Sequence, residues 1–177
     1  LDDTLRPFSQ NYKVSVGRKI PMVFLNHAQH RKEEFGKKYN ATIFKQAAER
    51  LEEICDVKIT DENLKKACEV YNENRALKRE FVKLCGDYSQ TIKASDRSNV
   101  LKASHHMLKD EHNKMLKELI EALKAMPKEE CKGPRVVTSG VITDNPALLQ
   151  VLDDFNICVV ADDVASESRG SKVDVDT

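Results

Sequence analysis

Residues 134–169, PRVVTSGVITDNPALLQVLDDFNICVVADDVASESR, constrain the fold more than any other stretch. Val136 and Val137 begin a β-branched run that breaks at Ser139-Gly140, where a strand gives way to a loop. Asn145-Pro146 signals a helix start, because Asn caps well and the missing N–H of Pro costs nothing at the first helical position. Leu148, Leu149, Leu152 and Phe155 then recur at helical spacing. Ile157-Cys158-Val159-Val160 is a continuous apolar run, as expected of a strand buried in a parallel sheet, and it stops on Asp162-Asp163. A strand–helix–strand unit of this length implies a right-handed crossover and a parallel pair. Both strands then point the same way, so Ser139-Gly140 and Asp162-Asp163 leave the sheet at one rim. Ligands of open α/β sheets bind outside such carboxyl ends.

The rest of the chain predicts helices around a second α/β piece. Ile20 to Leu25 reads as a short strand entered through Pro21, with His27 to Arg31 as the loop leaving it. Ile43, Phe44, Ala47, Ala48, Leu51 and Ile54 fit a helix over 42–55. A long helix follows from Thr60 to about Leu84, stopped at Gly86, with Asp61 and Glu62 favourable in its first turn. Ser95 or Asp96 caps a shorter helix, and Asp110 opens another that Pro127 ends. The expected fold class is α/β: parts of two Rossmann-like parallel-sheet units joined by a helical segment. The expected boundaries are 1–57 for the end of a first α/β domain, 58–131 for the helical connection and 132–177 for the start of a second α/β domain.

Composition narrows the function classes. Lys and Arg total 29 and so do Asp and Glu, giving a formal net charge of zero. No basic excess is available to displace phosphate counterions, which argues against nucleic-acid binding. No apolar run approaches the ~20 residues needed to span a bilayer. Five cysteines without CxxC pairing suit a reducing, cytoplasmic setting and pack most simply as small hydrophobes. His27 and His30, and His105, His106 and His112, lack a recognised ligand spacing, so no metal ligand is assigned. Leu1 in place of an initiator Met, and the polar tail, read as the ends of an internal fragment.

The opening LDDTLRPFSQNYK, the strand-like IPMVFLNHAQHR, the helical VKITDENLKKACEVYNENRAL and the strand–helix–strand segment stand in an order that resembles the 2-hydroxyacyl-CoA dehydratase family. The benzoyl-CoA reductase subunits are relatives of that family. The likeness runs over nearly the whole chain, and its first and last motifs are the specific ones. It implies one subunit of an enzyme that eliminates water from a 2-hydroxyacyl-CoA through a ketyl radical, giving an enoyl-CoA. It further implies a [4Fe–4S] cluster, a homologous second subunit and an ATP-dependent iron–sulfur activator protein, and leaves flavin open. Asp2 stands where the family pattern has a cluster cysteine. A carboxylate is a hard donor ill suited to a soft iron–sulfur cluster. The alternatives are therefore a cluster-poor partner subunit of the heterodimer, or a benzoyl-CoA reductase-like subunit.

Candidate site residues follow from the two readings together. Ser139 and Gly140 either offer a hydroxyl and free N–H groups to a thioester oxygen or form an ordinary turn. Asp162 and Asp163 either orient substrate and assist loss of its β-proton, or cap a helix and pair with Arg169. Arg6 and Gln10, in a loop with Thr4 and Asn11, could face an anionic group, although Arg6 could equally pair with Asp2 or Asp3. His27 leaves a strand end and borders the same kind of rim.

Overall fold

The computed structural model describes residues 5–16, 19–30, 32–129 and 131–176. These form six α-helices and two strands: α1 (Leu5–Ser15), α2 (Glu34–Cys55), α3 (Asp61–Cys85), α4 (Ala94–Ala103), α5 (Lys109–Ala125), β1 (Arg135–Gly140), α6 (Pro146–Asp154) and β2 (Cys158–Val164). A single 3₁₀ turn covers Arg169–Ser171. Helices and a parallel pair in one chain make the fold α/β. It divides into two compact units, Leu1–Leu64 and Lys65–Thr177.

The first unit departs from expectation twice. Residues 5–15 are helical rather than a loop. Phe8 and Tyr12, one turn apart, bring their rings within 6.4 Å, and Ser15 Oγ bonds the Asn11 carbonyl at 2.6 Å. Pro7 is tolerated because it sits in the first turn, where an N–H has no intrahelical partner. The second departure is Ile20–Leu25, which is extended but belongs to no strand. A strand persists through ladder bonds to a neighbour, and this unit contains no other strand among the described residues. The segment is fixed instead by side chains of α2. Asn40 Oδ1 accepts the Ala28 N–H at 2.8 Å, and Asn26 Nδ2 donates to the Tyr39 hydroxyl at 3.2 Å. Gly36 permits this return, since a Cβ there would lie 1.7 Å from the His30 carbonyl oxygen. The helix accordingly starts at Glu34, eight residues before the expected start at Thr42.

The second unit is built on a helical core and carries the sheet. Phe81 and Cys85 of α3, Tyr88 just beyond it, Leu101 of α4, and Leu116, Ile120 and Leu123 of α5 form one buried cluster. A polar seam runs beside it. Asn74 Nδ2 lies 2.8 Å from His112 Nδ1 and 2.7 Å from Asn113 Oδ1, while His112 Nε2 meets the Val100 carbonyl at 3.1 Å. The Asn74 amide nitrogen can only donate, so Nδ1 is the acceptor and Nε2 carries the proton. The helix expected from Ser95 or Asp96 begins at Ala94, with the Asp96 carboxylate reaching back to the Lys93 N–H at 3.3 Å.

β1 and β2 pair in parallel, in the register Arg135↔Cys158, Thr138↔Asp162, Ser139↔Asp163 and Gly140↔Val164, with a slip between Val136 and Val137. Between them α6 packs against α4. Asn145 caps α6 as its sequence predicts, its side chain accepting the N–H groups of Ala147 and Leu148 at 2.9 and 3.3 Å. Leu149 is the residue of this helix that is buried. Along β1 exposure alternates: Val136, Thr138 and Gly140 are covered, whereas Arg135, Val137 and Ser139 face outward. No helix among the described residues is long and apolar enough to cross a membrane.

Candidate functional site

The parallel register carries Ser139-Gly140 and Asp162-Asp163 to the same rim, with Ser139 directly beside Asp163. The two loops stay bonded to each other past the strand ends. Ala165 N–H donates to Gly140 O at 3.0 Å, and Ser166 N–H to Val141 O at 3.1 Å. Ser139, exposed on β1, is free to meet a solute from outside.

The paired aspartates differ sharply, as alternation of strand side chains requires. Asp162 points inward, and its side chain is fully buried. It pairs with the Arg97 guanidinium and accepts the N–H groups of Val164 and Ser168 at 3.0 and 3.1 Å. Asp163 points outward, about half exposed, and binds Arg169 at 3.0 Å and Lys172 at 2.7 Å. Hydrogen bonds from Arg169, then from Lys172, hold its carboxyl down at about 2. A carboxylate of so little proton affinity, with both oxygens engaged, orients a neighbour better than it accepts a proton.

Arg97 is the residue that sequence reasoning missed. From α4 it reaches both Asp162 and Glu167, and all three are buried. Glu167 also accepts from Ser98 Oγ at 3.2 Å and Thr143 Oγ1 at 2.7 Å. Thr143 follows β1, and Glu167 follows β2. One helix therefore fixes both rim loops, by a pairing that spans 65 and 70 positions in sequence. In the sequence, only the short spacing of Glu167 from Asp162-Asp163 hints at this network.

Beside this network lies a hollow of about 170 Å³ between the end of α4 and the two loops. Ser98, Lys102, His105 and His106 line one side, and Ile142, Asp144, Ser166 and Glu167 the other. Lys102 bridges it to Asp144 at 2.7 Å and pulls that carboxyl below its ordinary value. His105 Nε2 meets the Ser166 carbonyl at 3.1 Å. The rim thus carries an exposed hydroxyl and a fixed carboxylate, while the cleft of mixed charge beside the Arg97 network is lined by none of Ser139, Gly140, Asp162 and Asp163.

The other candidates lie in the first unit. Gln10 is exposed on α1, and His27 is exposed with its ring 5.5 Å from that of Phe44. Arg6 falls within α1, so the expected loop is replaced by a helical turn at that position. Asp2, Asp3 and Thr4 lie outside the described residues.

The cysteines do not fit a [4Fe–4S] cluster. Among the described residues no three His, Cys, Asp or Glu side chains gather to hold a metal. Cys85 is sealed in the helical core, where burial pushes its thiol up to about 12. Cys55 is exposed and Cys68 partly so, on α2 and α3.

Comparison with known proteins gives a consistent result. Residues 2–177 match the family described as 2-hydroxyglutaryl-CoA dehydratase, D-component. The chain is 43% identical over 174 residues to the (R)-2-hydroxyglutaryl-CoA dehydratase subunit beta of Acidaminococcus fermentans, covering 98% of this chain and 46% of the relative. It is 39% identical over 173 residues to the lactoyl-CoA dehydratase subunit beta of Anaerotignum propionicum, covering 98% and 45%. To the (R)-phenyllactyl-CoA dehydratase beta subunit of Clostridium sporogenes it is 38% identical over 167 residues, covering 94% and 44%. The chain spans about half the length of the curated relatives it matches.

Proposed function

The chain belongs to the 2-hydroxyglutaryl-CoA dehydratase D-component family, and from that membership we propose that it is part of the β-type subunit of a 2-hydroxyacyl-CoA dehydratase. The reaction removes hydroxyl from C2 and a proton from C3 of the acyl group, yielding enoyl-CoA and water. The observation that carries the reading is similarity to three β subunits whose named substrates differ but are all 2-hydroxyacyl thioesters. The shared rim of Ser139, Gly140 and Asp163 supports it, because a thioester needs donors for its oxygen and a surface that fixes its acyl chain.

In this reading Ser139 and the N–H groups beside Gly140 bind the thioester oxygen. Asp163 orients the substrate or its neighbours as a permanent anion. Asp162 acts on substrate only indirectly, by holding the loop that Arg97 anchors. Arg6, Gln10 and His27 are the candidates contributed by the first unit. The cluster and the ATP-dependent activator implied by the family resemblance are assigned to other parts of the assembly, together with a homologous second subunit. A cytoplasmic location is part of the same proposal.

The test is an anaerobic assay of the full-length protein with its partner subunit and activator. A 2-hydroxyacyl-CoA should be converted to the enoyl-CoA, as seen by mass spectrometry, and benzoyl-CoA should be left unchanged. Ring reduction of benzoyl-CoA without dehydration would replace this proposal with the reductase alternative. Asp2 favours a second reading, a cluster-poor partner subunit. Iron and acid-labile sulfide measured on the isolated full-length subunit separate the two: a near-stoichiometric cluster removes the second reading, and none removes a cluster from this subunit.

A further inference from the structure

The Arg97 guanidinium is one bond short. Its two terminal nitrogens pair with Asp162 and Glu167, but Nε, which can only donate, has no partner among the described residues. Arg97 is only 3% exposed, so bulk solvent does not satisfy that N–H. On β1, Thr138 Oγ1 shares this condition, buried and without a partner among the described residues, while its backbone stands in register with Asp162. Both residues line one hollow of about 30 Å³. Ser98, Thr143 and Glu167 reach the same wall, and most of the rest is apolar, Leu149 included. Leaving either polar atom unbonded carries its full desolvation cost, which apolar walls do nothing to relieve.

We propose that this hollow is a structural water site, in which one water accepts the Arg97 Nε–H and donates to Thr138 Oγ1. Its second proton goes to the Glu167 carboxylate, which accepts from Arg97, Ser98 and Thr143 and has capacity for a fourth bond. About three partners is the usual number for a buried water. The chemistry selects water over other small ligands. Glu167 repels an anion and Arg97 repels a cation, while the volume is too small for an organic molecule. It exceeds the roughly 10–15 Å³ that one water requires. The bridge ties Arg97 to β1 itself, one residue before Ser139, whereas its ion pairs hold only Asp162 of β2 and Glu167 beyond it. Both strand ends are then anchored on α4. Such a water would steady this rim whether or not the rim serves a dehydratase.

The test is a crystal structure of the full-length protein, at a resolution that shows ordered solvent, for the wild type, Thr138→Val and Thr138→Ser. The wild type should show one solvent peak within hydrogen-bonding reach of both Arg97 Nε and Thr138 Oγ1. Thr138→Val, which removes the hydroxyl at nearly equal size, should lose that peak, and Thr138→Ser should keep it. In solution, magnetic relaxation dispersion of the water nuclei should count one fewer long-lived water in Thr138→Val than in the wild type. A direct bond between Nε and Oγ1, a dry hollow in the wild type, or a peak that persists unchanged in Thr138→Val overturns the proposal. Equal counts of long-lived water in the two proteins overturn it as well. If Thr138→Val does not fold, the wild-type structure decides alone. None of these readouts depends on dehydratase activity.

Discussion

Arg97 shows how a single side chain can organise a rim that it does not belong to. Its charge is compensated by Asp162 and Glu167 inside the protein, so removing it leaves two buried carboxylates without their cation. Arg97→Met should destabilise the protein by about 3–5 kcal/mol, read as a lower urea midpoint. Glu167→Gln, which keeps acceptors for Ser98 and Thr143, should cost less. His112 gives a pH dependence of known sign. Burial, opposed by its bond to Val100, lowers its pKa from the ordinary 6.5, so the folded state holds it neutral and the unfolded chain takes up the proton first. Its contribution is complete above about pH 6.5 and is lost as the pH falls through the lower folded value. Urea midpoints should therefore drop between pH 7 and pH 5.5, and drop less in His112→Gln. Ser139→Ala, at an exposed position, should change stability by less than about 0.5 kcal/mol. If Ser139 binds the thioester, the same substitution lowers turnover of the assembled enzyme, and unchanged kinetics would make it a turn residue only.

Helices and strands were legible where the signal is local. Asn145-Pro146 announced α6, and the structure places both cap bonds where that dipeptide requires them. Asn145→Ala should cost about 1 kcal/mol in chemical denaturation, with Asn145→Asp close to wild type. The apolar run ending on two aspartates announced β2, and the strand extends through both to Val164. The misread elements share a cause. Ile20–Leu25 has strand-like composition, but strand formation is settled by a neighbour rather than by the segment itself. Residues 5–15 contain Pro7 and polar side chains that resemble a loop, yet Phe8 and Tyr12 at one-turn spacing and a proline confined to the first turn are compatible with α1.

Across the second unit, stability rests on the cluster shared by α3, α4 and α5, from which the sheet and its rim extend. Phe81, with no exposed surface, stands at its centre. Phe81→Ala should cost about 3–5 kcal/mol in equilibrium unfolding. Phe155, 71% exposed at the end of α6, should tolerate the same change within about 0.5 kcal/mol. Apolar periodicity alone ranks these two phenylalanines as equals. Sequence by itself determined the parallel strand–helix–strand unit, its cap and the meeting of 139–140 with 162–163, because those follow from spacing between near neighbours and from crossover handedness. Tertiary structure alone decided that Asp162 is sealed against Arg97 while Asp163 stands half exposed, bound to Arg169 and Lys172. Charge pairing and desolvation depend on distance in space, and sequence separations of 65 and 70 residues carry no local trace of it.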